Sequence, residues 1–417
     1  MNELETFEEN DITPAPIFAG RSAELNLLQQ YVLDRPAPIA LCFSGWRGTG
    51  KTALLRYAEG NLGEDVIAVY LALGDAASSS EDGLLRALAE MTTAQMEAMS
   101  LNTTRLPELP VADVRQWLKD EYLPIAMQII RRHRRLIWLF DDAETLVEAI
   151  IRDALPMDFF SYLHDLLETY TNLGIVLTID AAQEINIDAF SPIVNPNHLI
   201  RLNNLEFDAS AELLRCYHAG LPDSMAQTIH QAAGGYPLLL VRFGERLAQQ
   251  GDINSTAIRD IAQQVYNESD IDFRAMWQQL SRNERLVLTA LSHLLYNNPK
   301  RSLDAREIER WLIETDYPLD VPAIHAAIRS LEYREIVYGG QNALWLPTGL
   351  LQRWLLEHGR LDDMTYPGKL PDRRRRIFIL LVIALLALAI ALAIASVSIQ
   401  TGQSNHTPAP TITLNDG

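Results

Sequence analysis
The stretch Ser44-Gly-Trp-Arg-Gly-Thr-Gly-Lys51-Thr52 constrains this chain more than any other. Gly45, Gly50, Lys51 and Thr52 keep the G-x-x-x-x-G-K-[ST] spacing of a phosphate-binding loop. Glycines let the backbone of Gly45, Trp46, Arg47, Gly48, Thr49 and Gly50 curl until successive N–H groups face one anion. The helix that follows adds the positive end of its dipole. Lys51 is expected to reach the β- and γ-phosphates of ATP, and the Thr52 hydroxyl to ligate Mg²⁺. The flanks suit this reading. Residues 38–43 are apolar, as a buried parallel strand should be, and residues 52–59 place Leu54, Leu55 and Ala58 on one helical face. Strand, glycine loop and helix in that order predict an α/β fold with a parallel sheet.

Three further runs read as strands of that sheet: residues 65–71, 134–141 and 173–180, with 199–202 as a fifth strand. Helices are expected over 81–99 and 111–133. The run from Arg134 ends in Asp141-Asp142, 90 residues past Lys51 for the first acid. A strand delivering two carboxylates beside the loop would let Asp141 hold Mg²⁺ and Asp142 orient or deprotonate the attacking water. A buried strand with an acidic turn fits the same residues. Thr178 stands where a polar side chain could feel the γ-phosphate, and is equally an ordinary β-branched strand residue.

Upstream, Phe18-Ala-Gly20-Arg21-Ser-Ala-Glu-Leu-Asn-Leu-Leu28 precedes the first strand. This segment resembles the F-x-G-R-x-x-E-L-x-x-L box that opens the AAA+ and STAND families of P-loop ATPases. The resemblance implies that Phe18 and Arg21 lie beside the adenine. The Asp-Asp doublet looks more like the STAND branch than like AAA+ motors. Many STAND proteins carry an Arg two residues after the Thr178 position; here it is Asp180. From about residue 206 the period turns helical, and Gly235-Tyr-Pro237 resembles the G-x-P motif of the STAND lid, whose proline packs near adenine. Pro237 is also a plain helix starter. Arg242 is a weaker candidate for a sensor of the phosphate, and Arg152 only a guess at an arginine finger. Ser281-Arg-Asn-Glu284 reads as a capping box, helices follow near 303–314 and 321–332, and residues 335–346 read as a hairpin. A winged helix is expected there, as STAND proteins carry after the lid.

Residues 377–399 hold no charge over 23 positions, enough for a ~30 Å hydrocarbon core at ~1.5 Å per residue. Arg373–Arg376 precede this run and no Lys or Arg follows, which keeps the bulk of the chain cytoplasmic and the last residues outside. Ala387, Ala391 and Ala395 make a small-residue face through which spans could pair into a homo-oligomer. A net charge of −19 disfavours nucleic acid, and residues 275–360 balance ten Lys and Arg against ten Asp and Glu. Two cysteines give no disulfide framework, and residues 1–15, with five acids and no base, show no secretory leader. The expected layout is a disordered acidic tail (1–15), a P-loop NTPase core (16–205), a helical lid (206–272), a winged-helix domain (273–360), a basic linker (361–376), one transmembrane helix (377–399) and an outer tail (400–417). The expected function is a membrane-anchored cytoplasmic ATP switch with lipid and an unknown protein as partners. The alternatives are a membrane-tethered DNA-binding regulator and a nucleotide-binding scaffold without turnover.

Overall fold
The computed structural model describes residues 17–360 apart from 35–37, 77–79, 131–133, 197–198, 252, 299–300, 302 and 340–342. The expectations for 1–15, 361–376, 377–399 and 400–417 therefore lie outside the described residues. Among the described residues, no helix is long and apolar enough to cross a membrane.

Five parallel strands form one sheet: β1 (Leu41–Gly45), β2 (Val66–Ala72), β3 (Arg135–Asp141), β4 (Leu173–Asp180) and β5 (Ile200–Arg201), in the order β2-β3-β4-β1-β5. Their near-continuous apolar runs are explained by burial on both faces. Along β3, Leu136, Trp138 and Phe140 enter one hydrophobic cluster while Ile137 and Leu139 enter the other. Alternation of side chains along the strand does this. One face is covered by α1 (Ser22–Asp34) and α2 (Lys51–Asn61), through Leu28, Val32, Leu54, Leu55 and Ala58. The other face takes α3 (Leu73–Ala76), α4 (Glu81–Ala98), α5 (Val114–Trp117), a π-helical turn (Leu118–Tyr122), α6 (Leu123–Ile130), α7 (Glu144–Ile151) and α8 (Phe159–Thr169). Cys42 is buried in this core, as expected of a small apolar residue, and burial pushes its thiol up.

Among the described residues nine helices follow β5: α9 (Phe207–Tyr217), α10 (Asp223–Ala233), α11 (Pro237–Leu247), α12 (Ser255–Glu268), α13 (Asp270–Gln279), α14 (Arg282–Leu295), α15 (Ala305–Glu314), α16 (Val321–Tyr333) and α17 (Gly349–His358). The Ser281–Glu284 capping box is present at α14. The expected hairpin is seen as the antiparallel bridge Tyr338–Trp345 on either side of residues 340–342. Helix α13 runs across the 272/273 boundary drawn from sequence, and one hydrophobic cluster joins the helices on both sides of it.

Leu139 is fully buried in the middle of the sheet. Leu139→Ala is expected to cost about 2–5 kcal/mol of stability, read as a lowered thermal midpoint with the far-ultraviolet spectrum unchanged below it.

Candidate nucleotide site
The carboxyl ends of β1, β3 and β4 meet at one edge of the sheet, where open parallel sheets form their ligand crevices. Gly45, the last residue of β1, is paired in register with Asp180, the last of β4. The loop between β1 and α2 turns through Gly48 (φ 82°) and Gly50 (φ 95°), left-handed conformations that favour glycine. A Cβ on Gly45 would collide with the Thr49 hydroxyl, which donates to the Trp46 carbonyl at 2.8 Å. Lys51 is 8% exposed, and its Nζ donates to the Gly45 carbonyl at 2.8 Å while standing 3.9 Å from the Asp180 carboxylate. Thr52 is exposed at the start of α2. Loop N–H groups, ammonium and helix start are thus assembled as an anion cradle.

The acidic doublet is organised by Thr178. This side chain is fully buried, its hydroxyl donates to Asp141 Oδ1 at 2.5 Å, and it accepts the Asp142 N–H at 3.1 Å. Tyr70 on β2 donates to the other Asp141 oxygen at 2.9 Å. Asp142 takes a left-handed backbone (φ 54°), a conformation Asp tolerates better than most residues, and its side chain is exposed. Partial burial, then the neighbouring Asp141 and Asp180, raise the Asp142 carboxyl, and Lys51 only partly offsets them. Glu144 is raised for the same leading reason, burial, and accepts the Asp180 N–H at 3.3 Å. Thr178 therefore holds one carboxylate oxygen of Asp141 and the backbone of Asp142.

The donor set around the cradle is oxygen throughout, which suits a hard cation such as Mg²⁺. Among the described residues no group of three or more His, Cys, Asp or Glu is arranged to hold a metal by itself. The residues thus fit an ion that Thr52 and Asp141 would share with phosphate oxygens, directly or through water.

The remaining expected residues surround the loop. Phe18 stacks on Tyr57 of α2 with centroids 4.5 Å apart. Arg21 is buried, and its guanidinium donates to the carbonyls of Thr49 (2.9 Å) and Asn203 (2.6 Å). It thus ties the phosphate loop to the segment after β5. Pro237 is buried at the first turn of α11, as a helix starter should be. Just beside it, the Leu238 N–H donates to the Gly48 carbonyl at 3.1 Å and the Tyr236 hydroxyl to the Arg47 carbonyl. Arg242 is turned to Ser269 and Asp272, and Arg152 donates to Glu148 within its own helix.

Sequence reasoning missed the contacts that close the loop from outside. Trp46 Nε1 donates to the Tyr333 carbonyl at 3.4 Å, its ring meets the Tyr333 ring edge-on at 6.3 Å, and the Arg334 guanidinium lies 4.9 Å from the Trp46 centroid. Tyr333 also donates to Glu184, which pairs with Arg201 and accepts from Ser44 at 2.5 Å. Burial alone would raise Glu184, but hydrogen bonds from Arg201, Ser44 and Tyr333 outweigh it and hold its carboxyl below the usual range. Glu335 accepts the Asn204 N–H at 2.6 Å. The signal for Tyr236 was present, since it sits between Gly235 and Pro237; nothing in the local sequence pointed to Tyr333, Glu184 or Tyr70.

Comparison with known proteins agrees with this geometry. The sequence model of the AAA domain family matches residues 37–211. The Walker-type ATPase PABY2304 of Pyrococcus abyssi superposes with a TM-score of 0.56 at 15% identity, over 81% of this chain and 95% of that one. The ORC2 protein of Aeropyrum pernix, in its ADPNP–ADP complexes, gives 0.54 at 14% identity, over 86% and 96%. No curated protein matches the chain. The chain thus shares its fold with these two proteins, and its residues 37–211 match the AAA domain family.

Thr178→Val keeps the shape but removes both hydrogen bonds to the doublet. It is expected to destabilise the protein by about 1–3 kcal/mol, measured by thermal unfolding beside Thr178→Ser, which retains the hydroxyl and most of the stability.

Proposed function
We propose that the chain is an ATP-binding switch that hydrolyses ATP with Mg²⁺ and changes the seating of its helical body on the phosphate loop. The observation that carries this reading is the double use of the loop. Its left-handed turns at Gly48 and Gly50 shape it to cradle phosphate, while the carbonyls of Arg47 and Gly48 and the ring of Trp46 are held by Tyr236, Leu238, Tyr333 and Arg334. A phosphate that reshapes the loop must alter those contacts, so occupancy and closure are coupled. In hydrolysis, Lys51 and the loop N–H groups would stabilise the charge that develops on the transferred phosphoryl. Asp142 would accept the proton of the attacking water, and Thr178 would hold Asp142 and Asp141 in register. Mg²⁺ would neutralise phosphate oxygens next to Thr52 and Asp141.

Anchoring in a membrane through residues 377–399, with the bulk of the chain cytoplasmic, belongs to the same proposal. Its support is the charge-free run behind Arg373–Arg376. The helices and bridge over 282–345 support a winged-helix reading, with a protein partner favoured over DNA because charges there balance.

The test uses the detergent-solubilised full chain. Wild type is expected to bind ATP and release phosphate, Lys51→Ala to lose binding by at least ~100-fold, and Asp142→Ala to bind without turnover. Trp46 fluorescence should shift on binding. Nucleotide binding without any phosphate release would leave only the scaffold. Because its carboxyl is raised, Asp142 becomes protonated at a higher pH than an ordinary aspartate. Turnover should therefore fall as pH drops through that raised value, a limb that the rate-against-pH profile of the wild type measures.

A further inference from the structure
A cavity of about 340 Å³ lies where three parts of the chain meet, and none of the phosphate-loop residues lines it. The segment after β5 contributes Glu206, α10 contributes Gln227, His230 and Gln231, and the bridged pair beyond α16 contributes Tyr338 and Trp345. That volume holds a small organic group, not only a bare ion. The walls favour positive charge. Glu206 is exposed, and among the described residues no Lys or Arg pairs with it. The nearby Glu335 is instead matched by Arg21 and Arg201. Burial first, then Glu335, pushes the Tyr338 hydroxyl up to about 12, and Glu206 adds to the same effect. Burial lowers His230, with Glu206 opposing it only in part, so this imidazole is uncharged at neutral pH. Its Nδ1 shares a 2.9 Å hydrogen bond with the Ser210 hydroxyl, which fixes the ring. Helix α10 ends at Gly234 on the cavity wall, so the negative end of its dipole acts in the same direction as Glu206. The aromatic wall is Tyr338 stacked on Trp345 with centroids 5.4 Å apart, and Trp345 stays 45% exposed. Asn204 Nδ2 donates to the Tyr338 hydroxyl at 3.3 Å and ties the pair to the segment after β5.

We propose that this cavity binds an organic cation of the guanidinium class, stacked on Trp345 and paired with Glu206, either as a free small molecule or as an arginine side chain of a partner protein. The proposal does not depend on the nucleotide reading. A flat, delocalised cation uses every wall at once. Its face lies on the indole, while its edge N–H groups donate to Glu206 and to the carboxamide oxygens of Gln227 and Gln231. An ammonium lacks the flat face that stacks. A metal ion finds a single carboxylate, and among the described residues no cluster of metal ligands. An anion meets Glu206 and the wrong end of α10. The bound cation would bridge the segment after β5, α10 and the bridged pair, beside the hydrogen bond from Leu205 to Gly235.

Calorimetry on the detergent-solubilised full chain tests this with three probes at constant ionic strength. They are agmatine, a short peptide with one central arginine, and N-butylurea, a neutral look-alike of the guanidinium. A guanidinium probe is expected to bind saturably and butylurea not to bind. Tighter binding of agmatine makes the ligand a free small molecule, and tighter binding of the peptide makes it a partner's side chain. Glu206→Gln and Trp345→Phe should each weaken the bound probe by roughly three- to tenfold. Gln231→Lys places a competing ammonium in the cavity and should abolish binding, whereas Gln231→Glu should tighten it. All three positions are exposed, so these variants should keep the thermal midpoint of the wild type. Equal binding of butylurea would overturn the proposal. So would unchanged affinity in Glu206→Gln and Gln231→Lys, or no binding of either guanidinium probe.

Discussion

The phosphate loop uses its two backbone faces for different purposes, and the rest of the molecule depends on that division. A peptide unit points its N–H and its C=O in opposite directions, so a loop that turns successive N–H groups inward turns carbonyls outward. Those outward carbonyls need partners, and here they find them in other parts of the chain. Thr49 is taken by Arg21, Arg47 by Tyr236 and Gly48 by Leu238. The segment before the first strand, the loop and the helical body are joined at one short stretch of backbone. A Cβ on Gly48 would collide with the Tyr236 hydroxyl, so the glycine serves the lid contact as well as the left-handed turn.

The same economy governs the acidic edge. Adjacent carboxylates at the end of a buried strand are costly, and burial first, then repulsion by Asp141, raises the Asp142 carboxyl. Thr178 makes the arrangement tolerable by donating to one acid through its hydroxyl and accepting the backbone N–H of the other. Tyr70 supplies the remaining bond to Asp141 from the far side. The doublet is therefore supported by β2 and β4, the two strands that flank β3, and its geometry rests on the sheet order as much as on the β3 sequence.

That dependence explains what could be read in the sequence and what could not. The loop, the acidic strand and the runs of β1 to β5 were legible because burial on both faces leaves continuous apolar segments ended by polar residues. The helices 81–99 and 321–332 were legible to within a residue or so, from their apolar period and caps. The order β2-β3-β4-β1-β5 was not, since every one of these strands looks alike along the chain. Spacing puts Thr178 near the doublet, and the register of β3 against β4 aims its hydroxyl at Asp141. The two carbonyl bonds of Arg21 reach residues 28 and 182 positions away, beyond any local pattern. The grip of Tyr333 and Arg334 on Trp46 spans some 290 positions, and no local pattern encodes it.

The hydrophobic cluster shared by α9 through α17 has a mechanical consequence. It runs without a break from Leu205 to Leu355, so these helices cannot slide past one another without opening a packed interior. The helices on both sides of residue 272 thus share one packed interior, with a joint to the sheet. The joint is the short crossing after β5, where Leu205 and Gly235 exchange a backbone hydrogen bond and Gly20 abuts Ala209. A pivot there would release Tyr236 and Tyr333 from the loop together. Helix α17 belongs to the same body, because its first residue packs against Gln231 and Ala232 of α10.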